Sequence, residues 1–212
     1  EAHEPLLKKT KPVDLKYFDD AVFIGDSVTM SLQYYSASTG CLGKAGFLCA
    51  ASQSAASTTI KITGGTVDPR YHGATVAVEE GVALMNAKKV YIMLGINEIS
   101  FNWDVTVQRY DEMLTRIRQL QPDAIIFLQA NLHVSKKKSN AETSLNNETI
   151  NRFNEMVAGK ADGMTTFYLD VNEIFDDEEG NLIAEYTSDG VHVLAKHYTE
   201  WVDWILKRAV KR

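Results

Sequence analysis

The chain has 212 residues, of which 45% are hydrophobic and 24% are charged, and its formal net charge at pH 7 is -6. This length suits one sizeable domain with its own core, and the charge provides no concentrated cationic face for the phosphates of a nucleic acid. No apolar run approaches the roughly 20 residues needed to cross a bilayer. We therefore expect a globular protein with no nucleic-acid partner and no membrane span in this chain.

Residues 1–17 are polar and rich in lysine, and they contain two prolines. This composition predicts an extended leader laid on the surface, followed by one domain over residues 18–212. The sequence does not begin with methionine, which indicates a processed or trimmed product. A leader of this kind fits a stalk after a removed signal or anchor, so we expect an extracytoplasmic protein, secreted or attached to the cell surface.

Short apolar runs then alternate with longer segments of helical period. The runs predict five strands, at residues 21–25, 46–50, 89–94, 124–129 and 166–170. Apolar side chains recur every three to four residues in three amphipathic segments, which predict helices over 104–121, 146–161 and 193–210. This alternation indicates βαβ units, and hence an α/β protein in which helices cover both faces of a parallel sheet, a three-layer α/β/α sandwich.

Cys41 and Cys49 are the only two cysteines. They allow one disulfide in an oxidising compartment and are equally compatible with two free thiols. Two thiols without nearby histidines make a poor zinc site, and the acidic run over residues 176–181 lacks the alternating oxygen ligands of an EF-hand loop. We predict a polar turn of a small hairpin at that run, and no metal.

Four side chains of types that take part in catalysis follow predicted strands. Ser27 comes directly after the first strand, Asn97 follows the third, and Asp189 and His192 follow the last. Ligands of open parallel sheets bind beyond the carboxyl ends of the strands, so these residues are expected at one edge. Each has a structural explanation by itself: Ser27 and Asp189 as helix caps, Asn97 as an amide that bonds its own loop, and His192 as a surface or core histidine. Their joint placement favours catalysis.

The four residue types match the needs of acyl transfer. A serine hydroxyl becomes a good nucleophile when a histidine accepts its proton, and a carboxylate on the other ring nitrogen fixes the histidine tautomer. Asp189 precedes His192 by three residues in a turn with Gly190, which allows the carboxylate to reach the ring. Attack on an ester also needs hydrogen-bond donors for the oxyanion, and the backbone N–H of Ser27 and the amide of Asn97 are candidates.

Three motifs, Gly-Asp-Ser at 25–27, Gly-Ile-Asn-Glu at 95–98 and Asp-Gly-Val-His at 189–192, resemble blocks I, III and V of the SGNH (GDSL) hydrolases, in the family's order. The resemblance covers about residues 18–210 and implies a flavodoxin-like fold. It also implies that Ser27 is the nucleophile, His192 the general base and acid, Asp189 the orienting carboxylate and Asn97 an oxyanion donor. Ser52 stands where block II usually has glycine, so its backbone N–H is the candidate for a further donor.

The Gly-Ile-Asn-Glu motif at 95–98 also departs from the family at one position. Glu98 stands where aspartate is commoner, and we expect it to lie away from the presumed donor, Asn97.

Members of this family act on acetylated polysaccharides, peptidoglycan, lysophospholipids and thioesters. Because the chain has no apolar lid-like insertion, we expect a small-molecule or carbohydrate ester with a short acyl group, acetyl in particular. No cofactor is implied, since the triad and the oxyanion donors supply the chemistry. The alternatives are a lysophospholipase, a thioesterase or an acyltransferase of the same family, or a flavodoxin-like module that binds a ligand without turnover.

Overall fold

The protein, described by a computed structural model over residues 6–58, 67–141 and 144–210, alternates strands and helices along the chain. The strands β1 to β7 are Ala21–Gly25, Gly46–Cys49, Arg70–Tyr71, Ala74–Thr75, Lys89–Met93, Ile125–Gln129 and Thr166–Leu169. The helices α1 to α8 are Ser27–Thr39, Ala55–Thr58, Val78–Leu84, Trp103–Leu120, Lys136–Ala141, Asn147–Ala158, Asn172–Phe175 and Tyr198–Leu206. Short 3₁₀ helices lie at Leu15–Phe18, Ile96–Glu98, Ala184–Tyr186 and Ala195–His197.

The main sheet has five parallel strands in the order β2-β1-β5-β6-β7. These are the five strands predicted from the apolar runs, so the α/β prediction is confirmed. The strands β3 and β4 form a separate antiparallel pair. The order is that of the flavodoxin-like sheet, in which the chain reverses its direction of travel between β1 and β5. A crevice therefore opens between the carboxyl ends of these two strands.

The sheet is apolar on both faces, as its uninterrupted hydrophobic runs require. One face packs against α1 and α8, and the other against α3, α4 and α6. On the first face a row of paired aromatic rings crosses all five strands, with centroids 4.4 to 6.1 Å apart: Phe47, Phe23, Tyr91, Phe127 and Phe167. Because each ring stacks on its register partner, the row holds the strands in one alignment.

The final predicted helix, residues 193–210, is wrong in its first part. Val193 forms an antiparallel bridge with Thr187, and the N–H of Leu194 donates to the carbonyl of Tyr186. A 3₁₀ helix follows, and α8 begins only at Tyr198. Val193 and Leu194 are not helical because they are already paired with residues 187 and 186. His192 therefore lies in a folded-back loop and not at the start of a helix.

The described part of the leader is hydrogen-bonded to the domain. The N–H of Leu7 donates to Tyr168 O in β7, and that of Val13 donates to Leu206 O at the end of α8. Residues 15–18 form a 3₁₀ helix that brings Phe18 into the core. The domain boundary at residue 18 and the extracytoplasmic location stay predictions. Within the described ranges, the helices are too short or too polar for any to traverse a lipid bilayer.

Two local expectations concern the cysteines and the acidic run. Cys41 and Cys49 are both free thiols. At the acidic run, Asp176 bridges Leu182 in antiparallel fashion, and the N–H of Gly180 donates to Asp177 O with a left-handed φ of 77° at the glycine. This is the polar turn that the sequence predicts.

Candidate active site

Strand β1 turns directly into α1 at the motif Gly25-Asp26-Ser27. A Cβ atom at Gly25 would lie 1.9 Å from Thr29 Oγ1 and 2.7 Å from the carbonyl oxygen of Met93, so only glycine fits this turn. Asp26 caps the helix, because its Oδ1 accepts the N–H of Val28 at 2.9 Å. Ser27 is then the first helical residue, with its hydroxyl at the carboxyl edge of the sheet.

Ser27, His192 and Asp189 are hydrogen-bonded in series. Ser27 Oγ lies 3.0 Å from His192 Nε2, and His192 Nδ1 lies 2.7 Å from Asp189 Oδ2. For both contacts to be hydrogen bonds of a neutral ring, Nδ1 carries the proton and donates to Asp189, while Nε2 accepts from the serine hydroxyl. The structure thus brings together the three predicted triad residues, across 165 positions of sequence between the serine and the histidine.

Asp189 organises the loop that presents the histidine. Its Oδ1 accepts the N–H groups of Val191 and His192, each at 2.8 Å, so Asp189 stabilises its own turn and does not cap α8. Gly190 has a φ of 82°, a conformation that favours glycine. Partial burial raises the pKa of Asp189, but the backbone and ring N–H groups of His192 and the N–H of Val191 outweigh it and hold that pKa well below its usual range.

Asn97 lies in the 3₁₀ turn that follows β5, beside the end of β1. Gly95 starts this turn with a φ of 149°, and a Cβ there would lie 2.5 Å from Phe153 Cε1. Asn97 is exposed, and its Nδ2 donates to Gln53 O at 3.1 Å and faces Asp26 Oδ2 at 3.4 Å. The amide therefore adjoins both the residue before the serine and the loop after β2.

Ser52 lies in that loop, in an exposed turn immediately before Gln53. Among the described residues no hydrogen bond joins Ser52 to the triad. Its backbone is placed beside Asn97 through the bond to the neighbouring carbonyl of Gln53.

Two buried carboxylates near the site were not predicted to take part in it. Asp26 is 2% exposed, and burial raises its pKa to about 6, although the N–H of Val28 and the charge of His192 act in the opposite direction. Glu98 is 1% exposed and accepts the N–H groups of Ala55 and Ala56. It was expected to lie away from the presumed donor, and it is instead bonded to the loop that Asn97 contacts.

The raised pKa of Asp26 predicts a pH-dependent gain in stability from Asp26→Asn. The pKa of about 6 in the folded protein exceeds the ordinary aspartate pKa of 3.8, so the stability that comes from the protonated acid is fully present below about pH 4 and is lost as the pH rises through 6. Asparagine stays neutral and is an equally good cap. We expect the variant to be more stable than wild type by up to about 3 kcal/mol at pH 8, and equally stable at pH 4.

Urea unfolding of both proteins at the two pH values measures this difference. If the difference in unfolding free energy between Asp26→Asn and wild type is the same at pH 4 and pH 8, the pKa of Asp26 is not raised in the folded protein.

His133, at the same edge of the sheet, does not join the triad. Its Nδ1 contacts Asp176 Oδ2 at 2.6 Å and its Nε2 contacts Asn151 Oδ1 at 2.8 Å, so both ring nitrogens are used in linking three segments. Burial lowers the pKa of His133, but the hydrogen bond and charge of Asp176 raise it by more. In the part of the chain that the structure describes, no three His, Cys, Asp or Glu side chains cluster closely enough to hold a metal ion.

A parallel α/β sheet that carries a serine, an imidazole and a carboxylate in series at its carboxyl edge has the arrangement of a serine hydrolase. The sequence profile of the GDSL-like lipase/acylhydrolase family matches residues 23–199. The chain belongs to this family, which confirms the resemblance seen in the three motifs. It is a carboxylic ester hydrolase. No curated protein matches the sequence.

Solved structures share the fold at low sequence identity. A GDSL-like lipase from Bacteroides thetaiotaomicron has a TM-score of 0.62 and 16% identity, over 92% of this chain and 89% of the other. A mutant acetyl esterase solved with an acetate ion has a TM-score of 0.54 and 14% identity, over 89% and 92%. A carbohydrate esterase of family 3 from Talaromyces cellulolyticus has a TM-score of 0.50 and 16% identity, over 87% and 93%.

Proposed function

We propose that this protein is a serine esterase that hydrolyses short-chain acyl esters, O-acetyl groups of carbohydrates in particular, through an acyl-enzyme on Ser27. The observation that carries the proposal is the continuous hydrogen-bonded series from Ser27 Oγ through His192 to Asp189. A serine at a strand end has no structural need for this series, whereas an esterase requires it.

In the acylation half-reaction, Ser27 Oγ attacks the carbonyl carbon of the ester while its proton passes to His192 Nε2. Asp189, already ionised and bonded to Nδ1, stabilises the imidazolium that forms. The former carbonyl oxygen becomes an oxyanion that accepts hydrogen bonds from the N–H of Ser27, the Asn97 amide and the N–H of Ser52. The Ser27 N–H precedes the first intrahelical bond of α1, which Met30 N–H makes to Asp26 O, so it is not used by the helix.

Collapse of the tetrahedral intermediate breaks the ester C–O bond, and His192 gives its proton to the departing sugar hydroxyl. A water molecule then attacks the acyl group on Ser27, losing a proton to His192 Nε2. The second tetrahedral intermediate collapses as the bond from its carbon to Ser27 Oγ breaks and His192 returns the proton to that oxygen, which releases the carboxylic acid and restores the serine. An acyltransferase would differ only in this half-reaction, with a sugar hydroxyl in place of water.

The openness of the site supports a bulky, polar alcohol as the leaving group. His192 and Asp189 keep 39% and 52% of their side-chain surface exposed, and Asn97 is also exposed. A long acyl chain needs an apolar channel to leave water, whereas an acetyl group buries little surface and leaves the sugar outside. The fold shared with an acetyl esterase and a carbohydrate esterase supports the same substrate class.

Labelling by a fluorophosphonate and turnover of acetylated substrates test the proposal. We expect one adduct per chain, located on Ser27 by peptide mass spectrometry, and its loss in His192→Ala. Acetate release is then compared between acetylated xylan and peptidoglycan and free sugar acetates, and p-nitrophenol release is compared over a series of p-nitrophenyl esters from acetyl to decanoyl. We expect the acetyl ester to be the fastest of the series, with at least one acetylated carbohydrate cleaved.

Three outcomes would contradict parts of the proposal. A folded protein that neither labels nor turns over p-nitrophenyl acetate would contradict the catalytic mechanism. Rates that rise with acyl length would indicate a lysophospholipase or thioesterase. Transfer of acetyl to an added sugar acceptor in preference to water, seen as a new ester by mass spectrometry, would indicate an acyltransferase.

A further inference from the structure

The Glu98 carboxylate joins two loops that lie side by side at the active site. Its Oε1 accepts the N–H of Ala55 at 2.9 Å, and its Oε2 accepts the N–H of Ala56 at 3.1 Å. Glu98 ends the 3₁₀ turn after β5, while Ala55 begins α2, which follows the loop after β2. Hydrogen bonds to an ionised acceptor are stronger than neutral ones, and the use of both oxygens makes the contact directional.

A third hydrogen bond joins the same two loops next to the two bonds of Glu98. Asn97 Nδ2 donates to Gln53 O, so two consecutive residues of the turn hold the facing loop at position 53 and at positions 55 and 56. Within that loop, the N–H of Gln53 donates to Ala50 O. Ser52 lies between these attachments, and the position of its backbone follows from them.

We infer that Glu98 is a positioning residue of the oxyanion hole, which sets the placement of the Asn97 amide relative to the backbone N–H of Ser52. The inference rests on the proposed function, in which these two groups are donors. They come from separate loops, and donors must lie 2.7–3.1 Å from the oxyanion. An error of about 1 Å in such a site can cost ~10²-fold in rate.

The contacts of Glu98 separate this role from direct catalysis. Both carboxylate oxygens are bonded to backbone N–H groups, and the side chain is 1% exposed, so it cannot meet the substrate. Because both oxygens of the Glu98 carboxylate already accept hydrogen bonds from these N–H groups, the carboxylate does not compete with an oxyanion for the Asn97 amide. Burial raises the pKa of Glu98 while the N–H groups of Ala55 and Ala56 act in the opposite direction.

Glu98→Gln tests this inference with a side chain of the same length. The glutamine retains one acceptor oxygen and turns an NH₂ group toward a backbone N–H, which breaks one of the two bonds. We expect kcat for p-nitrophenyl acetate to fall about 10–100-fold, because the donors are misplaced in the transition state, with KM changed less than about threefold. Glu98→Asp, which keeps the charge and shortens the reach, is expected to recover part of the lost kcat.

A double-mutant cycle with Asn97→Ala distinguishes positioning from a general loss of structure. If Glu98 acts through Asn97, then Glu98→Gln lowers kcat much less in the Asn97→Ala background than in wild type. Ser57→Ala is the matched control, because it removes the two bonds between the Ser57 hydroxyl and the backbone N–H and carbonyl of Ser54 at the start of the same helix and leaves the Glu98 contacts in place. We expect it to lower the melting temperature while kcat stays within about threefold of wild type.

The inference is overturned if wild type is active through Ser27 and Glu98→Gln keeps wild-type kcat. It is also overturned if Glu98→Gln lowers kcat by the same factor in the Asn97→Ala background as in wild type. A loss of kcat in Ser57→Ala as large as that in Glu98→Gln would overturn it as well. Wild-type protein that neither turns over the ester nor labels at Ser27 would instead refute the proposed function, and the role of Glu98 would fall with it.

Discussion

Ser27→Ala is expected to lower kcat for p-nitrophenyl acetate by about 10⁴–10⁶-fold, the range for loss of a triad nucleophile. Without the hydroxyl, no acyl-enzyme forms, and only donors to the oxyanion remain to assist direct attack by water. The fold should not change, because the cap of α1 is Asp26 and the hydrogen bond that the hydroxyl makes within the described residues is to the partly exposed His192. We therefore expect the melting temperature to stay within a few degrees of wild type.

His192→Ala should cost nearly as much as Ser27→Ala, and the double variant should be no slower than either single variant. This follows because the imidazole acts on the substrate only through the proton of the serine and of the water that later replaces it. Steady-state kinetics at matched concentrations of folded protein, determined by absorbance, measure the three rates. Two matched controls, Ser38→Ala on the same helix and His72→Ala on the surface, are expected to keep wild-type kcat.

If the fold-loss of kcat in the double variant equals the product of the two single losses, the serine and the histidine act independently. An active Ser27→Ala protein would place the nucleophile elsewhere and contradict the proposed mechanism.

The parallel sheet was predictable because its strands are buried on both faces, which forces unbroken apolar runs such as Ala21–Gly25. The meeting of Ser27, Asp189 and His192 was predictable for a related reason, since strand ends meet at one edge and the motifs stand at those ends. The start of α8 was not predictable from periodicity. The spacing of Leu194 and Tyr198 suits a helix, and the bridge between Thr187 and Val193 that prevents it depends on how the preceding loop folds back.

Glu98 shows why part of the candidate site is invisible in the sequence. Its partners are backbone N–H groups 42 and 43 residues earlier, and a backbone group leaves no residue type to recognise. The same holds for Asn97, whose acceptor is the carbonyl of Gln53. Motifs therefore identify the side chains proposed to react, whereas their backbone partners are found only when the loops are placed in space.

The geometry around Asp189 makes Asp189→Asn a sharper test of the triad than removal of the side chain. Oδ1 accepts Val191 N–H and His192 N–H, and Thr187 Oγ1 also lies 3.2 Å from it. An asparagine will keep its carbonyl oxygen on these donors, so its NH₂ group must face His192 Nδ1. The ring nitrogen can then only accept, and the imidazole proton moves to Nε2.

An imidazole protonated at Nε2 cannot accept the proton of Ser27, so we expect kcat for Asp189→Asn to fall about 10⁴-fold near neutral pH, as tautomer inversion does in a serine protease triad. The backbone bonds of the turn survive, so stability should change little. Nitrogen-15 spectra of the histidine ring should show the proton on Nε2 in the variant and on Nδ1 in wild type. Asp177→Asn, in a neighbouring exposed turn, should leave both the spectrum and kcat unchanged. Activity of Asp189→Asn within about tenfold of wild type, well short of the tautomer penalty, would mean that the carboxylate does not select the tautomer.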